Sequence, residues 1–82
     1  MIKVLLFANL RDLAGSDQLE IALDGIVSVR DLTVHLSELH PNLGPVLADG
    51  SAMISINKKY AQWDAPLTSG DEVGILPPVS GG

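Results

Sequence analysis

The chain has 82 residues, of which ten are acidic, five are basic and none is cysteine, and its formal net charge at pH 7 is −5. A chain of this length forms one domain, and a hydrophobic content of 46% suffices for one core. The lack of cysteine excludes disulfides, thiolate metal sites and a thiol nucleophile, while the negative charge disfavours nucleic acid and anionic membranes as partners.

The first predicted element is a strand from Ile2 to Ala8, which is rich in β-branched and aromatic residues. Its apolar run is too short for a signal peptide or a membrane span, so the expected compartment is the cytoplasm. Both faces of this strand are apolar, which predicts a central position in a sheet. Asn9 is expected to cap a short helical turn that Gly15 ends.

The next elements are a second strand and the main helix. Residues 18–23 alternate between apolar and polar side chains, which predicts a half-exposed strand antiparallel to the first. The helix begins after Ser28, whose hydroxyl can accept the backbone N–H of Asp31, and it ends before Pro41. Its apolar stripe is expected to contain Val29, Leu32, Leu36 and Leu39.

The second half of the chain is predicted to add three strands. Residues 42–51 contain glycine and proline and are predicted as a loop before a strand over 52–57. A short strand around 60–63 and a strand over 72–76 follow, and Pro77-Pro78 ends the last one because proline cannot donate to a ladder. The predicted fold is therefore an α+β roll over residues 1–76, with a mixed sheet of about five strands packed on one helix and β-grasp, or ubiquitin-like, topology.

Residues 77–82 are predicted to form a flexible tail that ends in Gly81-Gly82. The two prolines hold such a tail in an extended conformation, and glycines without Cβ atoms can thread a narrow slot in another protein. That slot would act on the carboxylate of Gly82. The alternative is a frayed terminus or an expression scar.

Two segments of the chain resemble the small subunit family of molybdopterin synthase. They are the opening MIKVLLFA with LRDLAG, and the ending that runs from LTSGDEV into PPVSGG. The resemblance covers essentially the whole chain. The PPVxGG ending combined with a Phe-Ala-x-x-Arg opening is more specific than the terminal Gly-Gly, which ubiquitin-like proteins and the thiamine-pathway sulfur carrier share.

This resemblance implies a sulfur carrier for molybdenum cofactor biosynthesis. An adenylating and sulfurating enzyme would use ATP and Mg to activate the Gly82 carboxylate, which a persulfide donor would turn into a thiocarboxylate. The large catalytic subunit would pass this sulfur to a pyranopterin precursor, in a heterotetramer of two small and two large subunits. This chain itself would bind no cofactor or metal, and the residues entering the large subunit would be Pro77, Pro78, Val79, Ser80 and Gly81.

The large subunit is expected to dock on the sheet face opposite the helix. If Val73 and Ile75 face the helix, Gly74 and Leu76 face outward, because successive strand residues alternate. The alternative is that a loop covers this face. Lys58 and Lys59 could add ion pairs at its rim or remain solvated charges. The predicted partner interface contains Phe7, Leu5, Leu76, Tyr60 and Arg11.

The sequence is also compatible with other functions. No serine–histidine–acid grouping and no phosphate-binding loop is evident, which disfavours a stand-alone enzyme and assigns ATP to the partner. Asp71 and Glu72 are adjacent in a strand and point to opposite faces, so they are expected to close a turn rather than to act as an acid/base pair. The alternatives are a carrier for thiamine or another pathway, and a ubiquitin-like modifier whose Gly82 forms an isopeptide with lysine.

Overall fold

Five strands and three α-helices make up residues 1–77, the part of the chain that the computed structural model describes. In chain order they are β1 (Ile2–Leu6), α1 (Asn9–Ala14), β2 (Gln18–Ile21), α2 (Val29–Leu39), α3 (Gly44–Ala48), β3 (Met53–Ile56), β4 (Lys59–Ala61) and β5 (Glu72–Leu76). A 3-10 turn over Pro41–Leu43 joins α2 to α3. Residues 78–82 lie outside the described residues, so the division into a domain over 1–76 and a tail over 77–82 stays a prediction.

The five strands form one mixed sheet in the order β2-β1-β5-β3-β4. β1 and β5 pair in parallel at its centre, and all other neighbours are antiparallel. Parallel neighbours need a long crossover connection, and the chain segment that contains α2 lies between them in sequence. The predicted α+β roll with β-grasp topology is confirmed.

The core is shared by α2 and one face of the sheet. Ser28 caps α2 as predicted, because its hydroxyl accepts the backbone N–H of Asp31 at 3.4 Å. A helix stripe and alternate strand residues together exclude water from this layer. Its fully buried members from α2 and the strands are Val29, Leu32, Leu36, Ile2, Val4, Val73 and Ile75.

The apolar stripe of α2 is shorter than predicted. Leu39 is 52% exposed, so its expected place in the core was wrong. Thr33 is buried instead, and its hydroxyl donates to the Arg30 carbonyl oxygen at 2.8 Å, which satisfies the polar group. No helix within residues 1–77 combines the length and the apolar character that crossing a membrane requires.

The segment 42–51 is largely helical, and its prediction as a loop was wrong. It contains the end of the 3-10 turn and the whole of α3. Leu43 and Leu47 are buried in the core, and this burial favours a compact helical path over an exposed loop. Pro45 is tolerated because it lies in the first turn of α3, where its missing N–H would have no partner.

Candidate docking surface at the root of the tail

β5 divides its side chains between the two faces of the sheet. Val73 and Ile75 are fully buried in the core, whereas Leu76 is half-buried. Gly74 and Leu76 occupy the other face because side chains alternate along a strand. The predicted orientation of β5 is confirmed. The outer face of the sheet therefore adjoins the point where the chain passes from β5 into Pro77.

The middle of this outer face is a row of residues from adjacent strands. Leu5 is the register partner of Gly74, Gly74 of Ser55, and Ser55 of Tyr60. A Cβ atom at Gly74 would lie 2.6 Å from Ser55 Oγ and 3.4 Å from Cε2 of Phe7. The ring of Phe7 and the hydroxyl of Ser55 thus approach β5 closely because position 74 has no side chain.

A shallow groove of about 240 Å³ opens on this face, and we call it the tail-root surface. Phe7 is 42% exposed and Tyr60 is 75% exposed. The described part of the chain therefore leaves both aromatic side chains accessible, contrary to the alternative of a covering loop. Exposed apolar side chains grouped in this way are typical of a binding site. The residues that line the groove are Phe7, Ser55, Lys58, Tyr60 and Leu76.

The structure brings together three of the five residues predicted for the partner interface, namely Phe7, Tyr60 and Leu76. Leu5 lies on the same face, half-buried beside Gly74. Arg11 is exposed on α1 and lines a separate depression, so its role in the interface stays a prediction. Ser55 was not singled out from the sequence because a small polar residue within a strand carries no distinctive pattern.

The backbone around Phe7 is fixed on both sides. Its N–H donates to the carbonyl oxygen of Ile75 at 3.3 Å, and its own carbonyl oxygen accepts the N–H of Leu10 at 3.2 Å. The turn closed by the second bond gives Ala8 a φ of 54° and a ψ of −131°. Such a conformation costs a residue other than glycine about 1–3 kcal/mol. Asn9 was expected to cap α1, but it is the first helical residue and its side chain makes no capping bond.

The turn between β3 and β4 is also held firmly. Its two residues, Asn57 and Lys58, have φ values of 52° and 71°, the pattern of a type I′ turn, in which the second residue is usually glycine. The backbone N–H of Asn57 donates to the Glu72 carbonyl oxygen at 2.8 Å, and Asn57 Oδ1 accepts the Glu72 N–H at 3.0 Å. Asn57 Nδ2 donates to the Asp71 carboxylate at 3.0 Å. Three hydrogen bonds therefore anchor this turn to the start of β5.

The Asp71 carboxylate joins this turn to the preceding loop. It accepts the Thr68 backbone N–H at 2.8 Å and the Thr68 hydroxyl at 3.3 Å, in addition to the Asn57 amide. Donation by the Thr68 N–H, and then by the Asn57 side chain, lowers the pKa of Asp71 below its ordinary value. Asp71 closes the turn before β5, which is the structural role expected from its position.

The predicted reactive group lies beyond these residues. Gly82, together with Pro78, Val79, Ser80 and Gly81, falls outside the described residues. Pro77 directly follows Leu76 and is half-buried. Within residues 1–77, no group of three or more histidine, aspartate or glutamate residues could hold a metal ion. What the described residues offer is an exposed apolar groove beside the start of the predicted tail.

Comparisons with known proteins agree over almost the whole chain. The ThiS family model matches residues 4–82. The molybdopterin synthase sulfur carrier subunit of Escherichia coli (strain K12) is 42% identical over 82 residues, which are 100% of both chains. The crystal structure of small archaeal modifier protein 1 from Haloferax volcanii has a TM-score of 0.83 and 32% identity, covering 99% of this chain and 98% of that one. A complex of subunits 1 and 2 of the molybdopterin-converting factor from Helicobacter pylori contains a similar chain, with a TM-score of 0.68, 26% identity and coverage of 99% and 97%.

Proposed function

Because this chain belongs to the ThiS family, we propose that it is the sulfur carrier subunit of a molybdopterin synthase. The full-length similarity to the Escherichia coli carrier supports this assignment. The observation that carries the proposal is the position of the tail-root surface, where an exposed apolar groove adjoins the point at which the chain leaves β5 toward Gly81-Gly82. A protein bound there would receive the carrier's terminus in its own active site.

The sulfur chemistry takes place on the terminal carboxylate, since the chain has no cysteine to hold a persulfide. An oxygen of the Gly82 carboxylate attacks the α-phosphorus of ATP, and pyrophosphate leaves, which gives an acyl-adenylate. The outer sulfur of a persulfide then attacks the carbonyl carbon and AMP leaves, which gives an acyl disulfide. A thiol attacks the donor's sulfur in that acyl disulfide, so the sulfur–sulfur bond breaks, the thiocarboxylate is released and the donor and the thiol are left joined as a disulfide. ATP and Mg²⁺ bind to the adenylating partner in this scheme, and this chain supplies the carboxylate.

The large catalytic subunit is the partner that we assign to the tail-root surface. The Helicobacter pylori complex of the two subunits supports such a partner. Phe7, Tyr60 and Leu76 would supply the apolar contacts, while two small and two large subunits would form the heterotetramer. The adenylating and sulfurating enzyme would bind the same chain in a separate complex. Because activation consumes ATP, we assign the cycle to the cytoplasm.

Intact mass spectrometry tests the sulfur-carrying step. The full chain is incubated with the cognate adenylating enzyme, ATP, Mg²⁺ and a persulfide donor, and its mass is measured. We expect replacement of one oxygen by sulfur, localised to Gly82 by fragmentation. A chain that lacks Gly82 should acquire no sulfur and should support no conversion of the precursor by the large subunit. Full activity of that truncated chain would contradict the proposal.

Calorimetric titration with the large subunit tests the docking surface. Phe7→Asp places a charge in the tail-root surface, and we expect the Kd to rise at least about tenfold, since exposed aromatic anchors dominate interfaces. Val34→Asp is the matched control because Val34 is a 56% exposed apolar residue on α2, on the side of the sheet that carries the helix. Unchanged affinity for Phe7→Asp, with its fold intact by circular dichroism, would remove Phe7 from the interface.

A protein modifier is the second candidate, favoured by the similarity to small archaeal modifier protein 1. Both functions need an activated Gly82, so activation does not separate them. Lysine-linked adducts of this chain on other proteins would support the modifier function. Conversion of the pyranopterin precursor by the reconstituted large subunit would support the carrier function, and formation of both products would assign both functions to the chain.

A further inference from the structure

Lys58 occupies a backbone position at which glycine is the usual residue. It is the second residue of the turn between β3 and β4 and has a φ of 71°. The Cβ atom of an L-residue crowds its own backbone in this conformation, so lysine is strained where glycine would be relaxed. Strained residues concentrate at functional sites, so the surroundings of Lys58 decide whether it belongs to one.

Lys58 also lies at the groove. Lys58 is the one basic residue among the five that line the tail-root surface, beside Tyr60 and Leu76. Lys59, the next residue, begins β4 and does not line the groove. Since successive strand residues point to opposite faces, Lys59 faces away from Tyr60. Two adjacent lysines with the same charge thus have different surroundings.

The turn presents Lys58 in a fixed position. Asn57 makes three hydrogen bonds to residues 71 and 72, so the backbone that carries Lys58 is ordered before a partner binds. A preorganised backbone loses less conformational entropy on binding than a mobile one, so only the Lys58 side chain has to be ordered when a partner binds. The chain as a whole is negatively charged, with ten acidic and five basic residues. The positive ammonium group of Lys58 beside the groove is therefore opposite in sign to the net charge of the chain.

We propose that Lys58 binds a carboxylate of the large subunit at the edge of the tail-root surface. The apolar side chains of the groove bury area against the partner, and the ammonium–carboxylate pair fixes its orientation and raises the association rate. The surface therefore selects a partner that presents an acidic side chain next to an apolar one. This inference rests on the proposed function, because that function names the large subunit as the partner.

Four variants test this pair by calorimetric titration with the large subunit at several NaCl concentrations. Lys58→Asn keeps a residue that tolerates positive φ and removes the charge, so its unfolding midpoint should equal or exceed that of the wild type. Its Kd should rise about fivefold at low ionic strength and depend less on NaCl, while Lys58→Glu should raise the Kd at least about tenfold. Lys58→Arg should retain the wild-type Kd. Lys59→Asn, the matched control, should also leave the Kd unchanged.

Three outcomes would overturn the inference. The first is an equal Kd and an equal NaCl dependence for Lys58→Asn and the wild type. The second is an equal rise in Kd for Lys58→Asn and Lys59→Asn, which would indicate general electrostatic attraction instead of a site. The third is a wild-type chain that does not bind the large subunit at all, and this result alone would overturn the proposed function as well.

Discussion

Replacing Gly74 by alanine tests whether the tail-root surface depends on close packing across β5. The new Cβ atom would lie 2.6 Å from Ser55 Oγ, well inside van der Waals contact, and 3.4 Å from Cε2 of Phe7. The Ser55 hydroxyl must therefore rotate away, whereas the Phe7 ring stays in ordinary contact with the new atom. Overpacking destabilises the folded chain by about 1–3 kcal/mol. Alanine also restricts the unfolded chain more than glycine does, and this stabilises the folded chain by about 0.5–1 kcal/mol. We therefore expect Gly74→Ala to lower the free energy of unfolding by about 1 kcal/mol.

Urea unfolding followed by Trp63 fluorescence measures this loss, and a second substitution tests its cause. Ser55→Ala removes Oγ and leaves Ser55 Cβ, which is 3.9 Å from the new atom and in ordinary contact. The double variant should therefore recover most of the lost stability, so the two substitutions should be coupled in a double-mutant cycle. Gly44→Ala is the control, because its Cβ would meet only Ser37 Cβ at 3.9 Å and its φ is −52°; it should be stabilising.

The same variants connect packing with binding. The double variant removes the close contact with Ser55 and leaves the Phe7 ring in ordinary contact with the new Cβ atom, so the ring keeps its position. Its Kd for the large subunit should therefore stay close to the wild-type value. Wild-type stability for Gly74→Ala, or additive effects of the two substitutions, would refute the packing argument.

Two further substitutions test the strained turn and the Asp71 carboxylate. Ala8→Gly should raise the free energy of unfolding by about 1 kcal/mol, because relief of the strain of about 1–3 kcal/mol exceeds the entropic cost of glycine. The control is Ala22→Gly, at an exposed position with negative φ, and it should lower the free energy of unfolding. Asp71 has a lowered pKa in the folded chain, so its stabilisation is complete above the unfolded pKa of about 3.9 and is lost as the pH falls through the folded value. Asp71→Asn should flatten the fall in the urea midpoint below about pH 4. Asp49→Asn should flatten it less, because its partner Ser51 is two residues away and remains near in the unfolded chain, whereas Asp71 also accepts a bond from Asn57, 14 residues away. A less stable Ala8→Gly variant, or an unchanged pH profile for Asp71→Asn, would contradict these expectations.

Alternation along the strands made the fold and the outer face predictable. Val73 and Ile75 must share one face of β5, so alternation alone places Leu76 on the other face, at the start of the tail. The stop at Pro41 and the cap at Ser28 likewise follow from local chemistry. These features depend on residues a few positions apart, which is the range over which sequence patterns are informative.

The parts that were not predicted depend on contacts between distant segments. Asn9 has a better capping side chain than Ala8, but the bond from the Phe7 N–H to the Ile75 carbonyl oxygen fixes the chain before the helix and leaves Ala8 in the turn. Burial of Leu47 made a helix of a segment that contains glycine and proline. Which of two adjacent lysines faces the groove depends on the turn type, and that in turn depends on bonds to residues 71 and 72.

Strain in the backbone is concentrated beside the tail-root surface. In residues 1–77, the non-glycine residues with positive φ are Ala8, which follows Phe7, and the pair Asn57-Lys58, which ends at the groove. A fixed surface loses little entropy on binding, which matters because a groove of about 240 Å³ offers few contacts. Under the proposed function, the carrier would leave the adenylating enzyme before it reaches the large subunit, and a large buried interface would slow its release. Affinity obtained from a few side chains on a preorganised backbone would therefore suit a carrier that alternates between two enzymes better than a subunit held permanently by one.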